Sequence, residues 1–264
     1  MRKFPLLAAP LVLAACGSSS DGHADAKSAA SLRRAEIKTA ALASEHMTVS
    51  LKMNIAGAPA PVWVDLSGDF TSAPDKGNVK VSQMSPAGPD SVDEVVDGDD
   101  IYLSSPSFAK TLSTVGKKWI KVDLAGLGKA TEDGFAAVVP WTPTDALRQI
   151  EGAGTVTEAG PAIIGDVMTT HYRIEDLDVA KLPGSPKVLK RWQVTYGPMD
   201  VWVGDADGYI YRETLSADLS LEGQSADMTV SSDFSKFGEP VSVTIPPASQ
   251  TLDGAMVGLR GHSA

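Results

Sequence analysis

The chain has 264 residues, of which 43% are apolar and 21% charged, with a formal net charge of −10. That balance argues against nucleic acid as a partner, because phosphates call for a basic face, and it repels anionic lipid headgroups except at a local basic patch. Cys16 is the one cysteine, so no intramolecular disulfide framework is available and apolar burial has to hold the fold.

The first segment has the layout of an export signal. Arg2 and Lys3 are followed by an apolar run from Leu6 to Leu13, broken only by Pro10, then by Ala14, Ala15 and Cys16. A cysteine directly after small residues matches a bacterial lipobox. Residues 1–15 are therefore expected to be a lipoprotein signal peptide, cut before Cys16. The thiol would carry a diacylglyceryl group and the new amino terminus a fatty acid such as palmitate. This would anchor the protein on the extracytoplasmic face of the cell membrane. The apolar run itself is too short for a bilayer span, which needs about 20 residues. Residues 16–28 are rich in Gly, Ser, Asp and Ala and read as the acylated cysteine and a flexible tether. Residues 29–247, roughly 220 in all, are enough for one domain with one core, and 248–264 read as a weakly ordered tail.

Within that domain, Leu32, Ala35, Ile37, Ala40, Ala41 and Leu42 recur at near-helical spacing, predicting an amphipathic helix from Ala29 to Glu45 with Ser31 as its cap. Thr48 to Ile55 then alternates strictly, with Val49, Leu51, Met53 and Ile55 on one side. A turn at residues 57–61 leads to a second alternating run with Val62, Val64, Leu66 and Phe70. Further strands are predicted over Val79–Met84, Val92–Val96, Ile101–Leu103 and Trp119–Leu124. A helical block follows, Leu127–Val139 and Pro143–Ile150. Strands return at Thr155–Glu158, Asp166–Leu177, Trp192–Tyr196, Asp200–Val203, Tyr209–Leu219, Gln224–Phe234 and Val241–Ile245, with a short helix and loop over Val179–Leu189. Strict alternation gives each strand one dry and one wet face, as in antiparallel sheets.

Catalytic and metal-binding patterns are sparse. There is no Gly-x-Ser-x-Gly elbow, phosphate-binding glycine loop or His-Glu-x-x-His. His23, His46, His171 and His262 are scattered, and His171 reads as a paired strand residue. Asp205-Ala206-Asp207-Gly208 contains a fragment of a calcium loop, but its apolar flanks make it a hairpin turn. No enzyme activity, metal or cofactor is expected. The many apolar stripes and few, small-residued helices leave two arrangements: a sheet that fills its own interior, or a space open to an apolar ligand.

Three segments carry a family resemblance. Gly165–Asp178 (GDVMTTHYRIEDLD), Asp200–Leu215 (DVWVGDADGYIYRETL) and Asp233–Pro247 (DFSKFGEPVSVTIPP) resemble phrases of the LppX/LprG-type lipoproteins of actinobacteria, themselves similar to the LolA/LolB carriers. The resemblance spans about residues 30–247, although Gly204-Asp205 stands where the family often has a single Asp. It implies an α+β fold: a strongly curved antiparallel sheet, a half-barrel, with helices across its concave face and a cavity for the acyl chains of a lipid or glycolipid between them. The stripes then supply the expected wall, Val49, Leu51, Met53, Ile55, Val64, Leu66, Phe70, Ile101, Leu103, Ile120, Val122, Tyr172 and Ile174, with Phe135, Val138 and Leu147 as lid. Cys16 is the expected attachment to the membrane. An envelope transporter is a possible protein partner. The competing expectation is an interaction lipoprotein with a filled core, partnering a transporter or sensor.

Overall fold

Alternating apolar residues bury efficiently only when neighbouring strands are in register, and that is how this chain is arranged. A computed structural model describes residues 26–72, 75–85, 88–123, 154–176, 193–221 and 223–254. Helix α1 (Ala26–Ala40) precedes strands β1 (Ser44–Ile55), β2 (Val62–Ser72), β3 (Asp75–Ser85), β4 (Gly88–Asp97) and β5 (Asp100–Ser104). Helix α2 (Pro106–Ser113) then leads to β6 (Trp119–Asp123). The second half holds β7 (Thr155–Ile164), β8 (Val167–Glu175), β9 (Gln193–Gly204), β10 (Ile210–Leu221) and β11 (Gln224–Ser235). A single helical turn (Ala248–Gln250) and β12 (Thr251–Asp253) follow.

The strands make one twelve-stranded sheet in the order β12-β6-β5-β4-β3-β2-β1-β11-β10-β9-β8-β7. It is curved and does not close into a barrel. All pairings are antiparallel except that of β12 with β6, which is parallel. Two meanders meet at the centre, where β1 pairs with β2 on one side and β11 on the other.

Several local expectations are corrected. The first helix starts before Ser31 and ends at Ala40, so Ser31 lies inside it. Ser44 and Glu45, placed in the helix by periodicity, belong to β1, because Ser44 pairs with Thr71 of β2. The runs expected at 192–196 and 200–203 join, from Gln193 onward, in one long β9, with a register shift opposite Leu215 and Ala217. Val241–Ile245 keeps its alternation of burial but joins no ladder. Residues 248–253, expected to be loose, form the helical turn and β12, and Leu252 packs beneath α2. Helix α2 was not foreseen. Ser105 caps it, accepting the Ser107 N–H at 3.1 Å, and Pro106 occupies its first turn. The expected helical block at 127–150 and the segment 179–189 lie outside the described residues.

Candidate functional site

Register decides which side chains share a face. Leu51 sits opposite Val64 of β2 and Val230 of β11, Val230 opposite Leu215 of β10, and Leu215 opposite Met199 of β9. Met53 likewise sits in a row with Val62, Met228, Ala217 and Tyr196. Following these rows across the sheet places Val49, Leu51, Met53, Ile55, Val64, Leu66, Phe70, Ile101, Leu103, Ile120, Val122, Tyr172 and Ile174 on one face. Phe135, Val138 and Leu147 lie outside the described residues. The reading from sequence left out the other half of this face. Met228, Val230, Leu215, Ala217 and Leu219 alternate just as cleanly in β10 and β11 and could have been found by the same rule.

Two helices cover separate ends of the apolar face. Leu32 and Ala35 of α1 pack into a buried cluster with Met47, Leu66, Val79, Tyr172, Ile174, Val201 and Phe234. Thr39 fastens the helix: its hydroxyl accepts the Ile210 N–H at 3.0 Å and donates to the Ala35 carbonyl at 2.9 Å. Lys38 donates to the Asp207 carbonyl. Tyr172 hydrogen-bonds Ser31 of α1, so it and the fully buried Ile174 (0% exposed) are core beneath the helix. At the other end, Leu112 of α2 buries Ile120 and Val122, with Leu103, Phe108 and Leu252 around them. Between these ends, Leu51, Met53, Val64, Met228 and Val230 belong to neither cluster and are half-buried, and Ile55 is 36% exposed. A groove of about 430 Å³ opens at this end of the sheet mainly on the polar face, lined by the cross-strand row Asn54, Asp227, Asp218 and Thr195, with Ile55, Leu219 and Ala226 at its edge.

Carboxylates interrupt the apolar face. Glu213 of β10 lies opposite Val201 and Ser232 and is only 5% exposed. Burial pushes its pKa up to about 8, with further upward pressure from Glu45 and Glu36. Glu45, opposite Phe70, is raised to about 7 by burial. Glu213 Oε1 and Glu45 Oε2 find no hydrogen-bond partner among the described residues.

The opposite face is mostly polar, apart from a buried Val95–Tyr102 pair, and is laced with cross-strand pairs. Arg212 holds Asp233 at 2.6 Å, Lys76 holds Asp97 at 3.0 Å and Lys121 holds Asp100 at 2.6 Å. His171 bonds Asp200 at 2.8 Å and stacks on Trp202 with 4.5 Å between ring centroids. His46 bonds Asp69 at 2.6 Å through Nδ1 and meets the Ser67 hydroxyl at 3.4 Å through Nε2. That order mimics a hydrolytic triad. Yet Ser67 and Asp69 lie in a strand laddered on both sides, so the backbone N–H groups that could hold an oxyanion are spent in the sheet. The 205–208 segment is a hairpin turn: Asp207 accepts the Tyr209 N–H and the Tyr211 hydroxyl, and Gly208 supplies the positive φ of 69°. Among the described residues no group of three His, Cys, Asp or Glu could hold a metal ion, and no helix is long and apolar enough to cross a membrane.

No family model and no curated protein matches the chain. Among solved structures, lipoprotein LppX of Mycobacterium tuberculosis is 17% identical with a TM-score of 0.50, over 83% of this chain and 100% of LppX. LprF of Mycobacterium bovis is 18% identical with a TM-score of 0.46, over 83% of this chain and 97% of LprF. A LolA superfamily protein from Nitrosomonas europaea is 11% identical with a TM-score of 0.27, over 83% and 94%. The chain has the LppX fold: an open, curved sheet with helices on its apolar side.

Proposed function

We propose that this chain is an envelope lipoprotein, held by an acylated Cys16 on the extracytoplasmic face of the membrane, that binds the acyl chains of a lipid or glycolipid and carries or presents them. The observation behind this reading is the stretch of apolar face between the two helix-covered ends. Among the described residues, Leu51, Met53, Val64, Met228 and Val230 form a continuous apolar surface that neither buried cluster absorbs. A half-buried apolar stretch that the clusters leave over is where an apolar ligand could complete the packing. Each methylene removed from water contributes about 0.8 kcal/mol, so an acyl chain could bind without polar contacts. The likeness to LppX, a lipoprotein, is in keeping with the lipobox. The binding unit is taken as one domain, expected over residues 29–247 and extended by α1 from Ala26 and by β12 to Asp253.

Native mass spectrometry with solvent extraction tests this on the chain produced in a lipid-rich actinobacterial host. A co-purifying lipid at fixed stoichiometry is the expected result, and Leu51→Asp should lose it while remaining folded. A clean apo mass, unchanged after incubation with envelope lipids, would replace the carrier with a filled-core interaction protein.

A further inference from the structure

Helix α1 is basic on the outside of a chain whose net charge is −10. Ser28, Leu32, Ala35, Glu36 and Thr39 form its buried side, so the one carboxyl of the helix is turned inward. Lys27, Ala30, Arg33, Arg34, Ile37 and Lys38 recur along the outer side and are all exposed. Arg34 donates to the Ser31 hydroxyl and Lys38 to the Asp207 carbonyl, and neither bond cancels a charge. Through Asp207 the last turn of α1 meets the turn between β9 and β10, where Asp205 donates its N–H to the Met168 carbonyl at 3.0 Å. Met168 stands on the same side of β8 as Tyr172, the side that α1 covers, and faces Ile163 of β7 across the ladder. Ile37 is 57% exposed, Ile163 64% and Met168 54%. Exposed aliphatic side chains therefore border the basic stripe.

Cations beside aliphatic side chains complement the two layers of an anionic membrane surface, the charged headgroups and the acyl boundary beneath them. Aliphatic side chains scattered along a convex helix and a hairpin tip suit a fluid interface better than a shaped protein partner. We propose that the outer side of α1 and the tip between β7 and β8 dock on an anionic phospholipid bilayer, with the stripe of Lys and Arg on the headgroups and Ile37, Ile163 and Met168 entering the interface. Cys16 precedes Ala26 by ten residues, which span at most about 35 Å, so a membrane that holds an acylated Cys16 is within reach of the helix. Because α1 lies on the apolar side of the sheet, docking turns the half-buried stretch toward the bilayer. This gives the carrier reading an orientation, while the docking itself requires neither a bound lipid nor an acylated cysteine.

The full chain carrying Cys16→Ser and Met168→Cys takes an environment-sensitive dye at a single thiol. Vesicles of equal parts phosphatidylglycerol and phosphatidylcholine should shift its emission to the blue, vesicles of phosphatidylcholine alone should not, and high salt should reverse the shift. Arg33→Glu with Arg34→Glu should raise the lipid concentration at half-effect about tenfold or more, and Arg33→Lys with Arg34→Lys should leave it in place. Lys52→Glu with Lys80→Glu makes the same charge change on the polar face and should have no effect on it. All four side chains are exposed, so these variants should fold. A dye that stays in water beside anionic vesicles, or answers neutral ones equally, overturns the docking, as does an equal loss in both glutamate pairs. A shift caused by polyglutamate and not by vesicles replaces the bilayer with an acidic protein. Acyl-chain binding is read separately by lipid extraction, so the docking can fail while the carrier reading stands, and the reverse.

Discussion

Met47 and Ile55 stand on the same strand, on the same face, in the same unbroken alternation, yet Met47 is 3% exposed and Ile55 36%. The difference lies in what crosses above them. Met47 shares a cluster with Leu32 and Ala35 of α1, whereas Ile55 borders a groove at the far end of the strand. Alternation therefore specifies the side of the sheet, and the covering helix divides that side into buried core and half-buried apolar surface. Stability and ligand affinity should separate along β1 accordingly.

The largest effect expected at the covered end concerns Glu213. Its folded-state pKa of about 8 lies above the ordinary 4.5. The stability linked to it is therefore fully present below about pH 4.5 and lost as pH rises through about 8, on the order of 5 kcal/mol. Urea unfolding should show Glu213→Gln gaining on the wild type between about pH 5 and about pH 9; a constant difference would show that the carboxyl does not titrate in the folded chain. Next, Ile174→Ala removes a fully buried side chain beneath α1 and should lower unfolding free energy by about 3 kcal/mol. Leu51→Ala, on the half-buried stretch, should cost less, about 1 kcal/mol in stability, yet weaken acyl-chain binding about tenfold. If Leu51→Ala destabilised as much as Ile174→Ala, the division along the strand would collapse. Comparable in stability is Thr39→Val, which keeps shape but removes the acceptor for the Ile210 N–H and should cost about 1 kcal/mol. Accelerated amide exchange at Ile210 would locate the loss.

Much of the fold was legible because a sheet with one dry face writes its period into each strand. Val49 to Ile55 and Val62 to Phe70 could be oriented by alternation alone, and the register places them together. What escaped depended on partners distant in sequence. Ser44 and Glu45 continue a helical pattern and are strand because Thr71 and Phe70 pair with them. Leu252 sits in a tail without periodicity and is ordered by β6 and the α2 cluster. Helix α2 is only 8 residues long, too short for periodicity to reveal, although Ser105-Pro106 is a legible start signal. Glu213 was hidden for a different reason: a charged residue in an alternating strand reads as solvent-facing until the opposing row is known. The Ser67–His46–Asp69 arrangement was equally unreadable, since its members meet only across the β1–β2 ladder.

The central seam has a consequence for how the molecule is made. β1 closes on β11, so His46 waits for Ser235 and nearly the whole chain must be in place before the middle of the sheet zips. Until then the first meander can assemble alone, with one flank of β1 displaying unsatisfied amides and Leu51 and Met53 beside them. Such a flank is a template for another strand, and joining chain ends so far apart is slow. A chain stalled before its last strands would be a half-sheet with a sticky margin, so a chain of this design would gain from a chaperone that keeps that margin occupied until the final hairpin arrives.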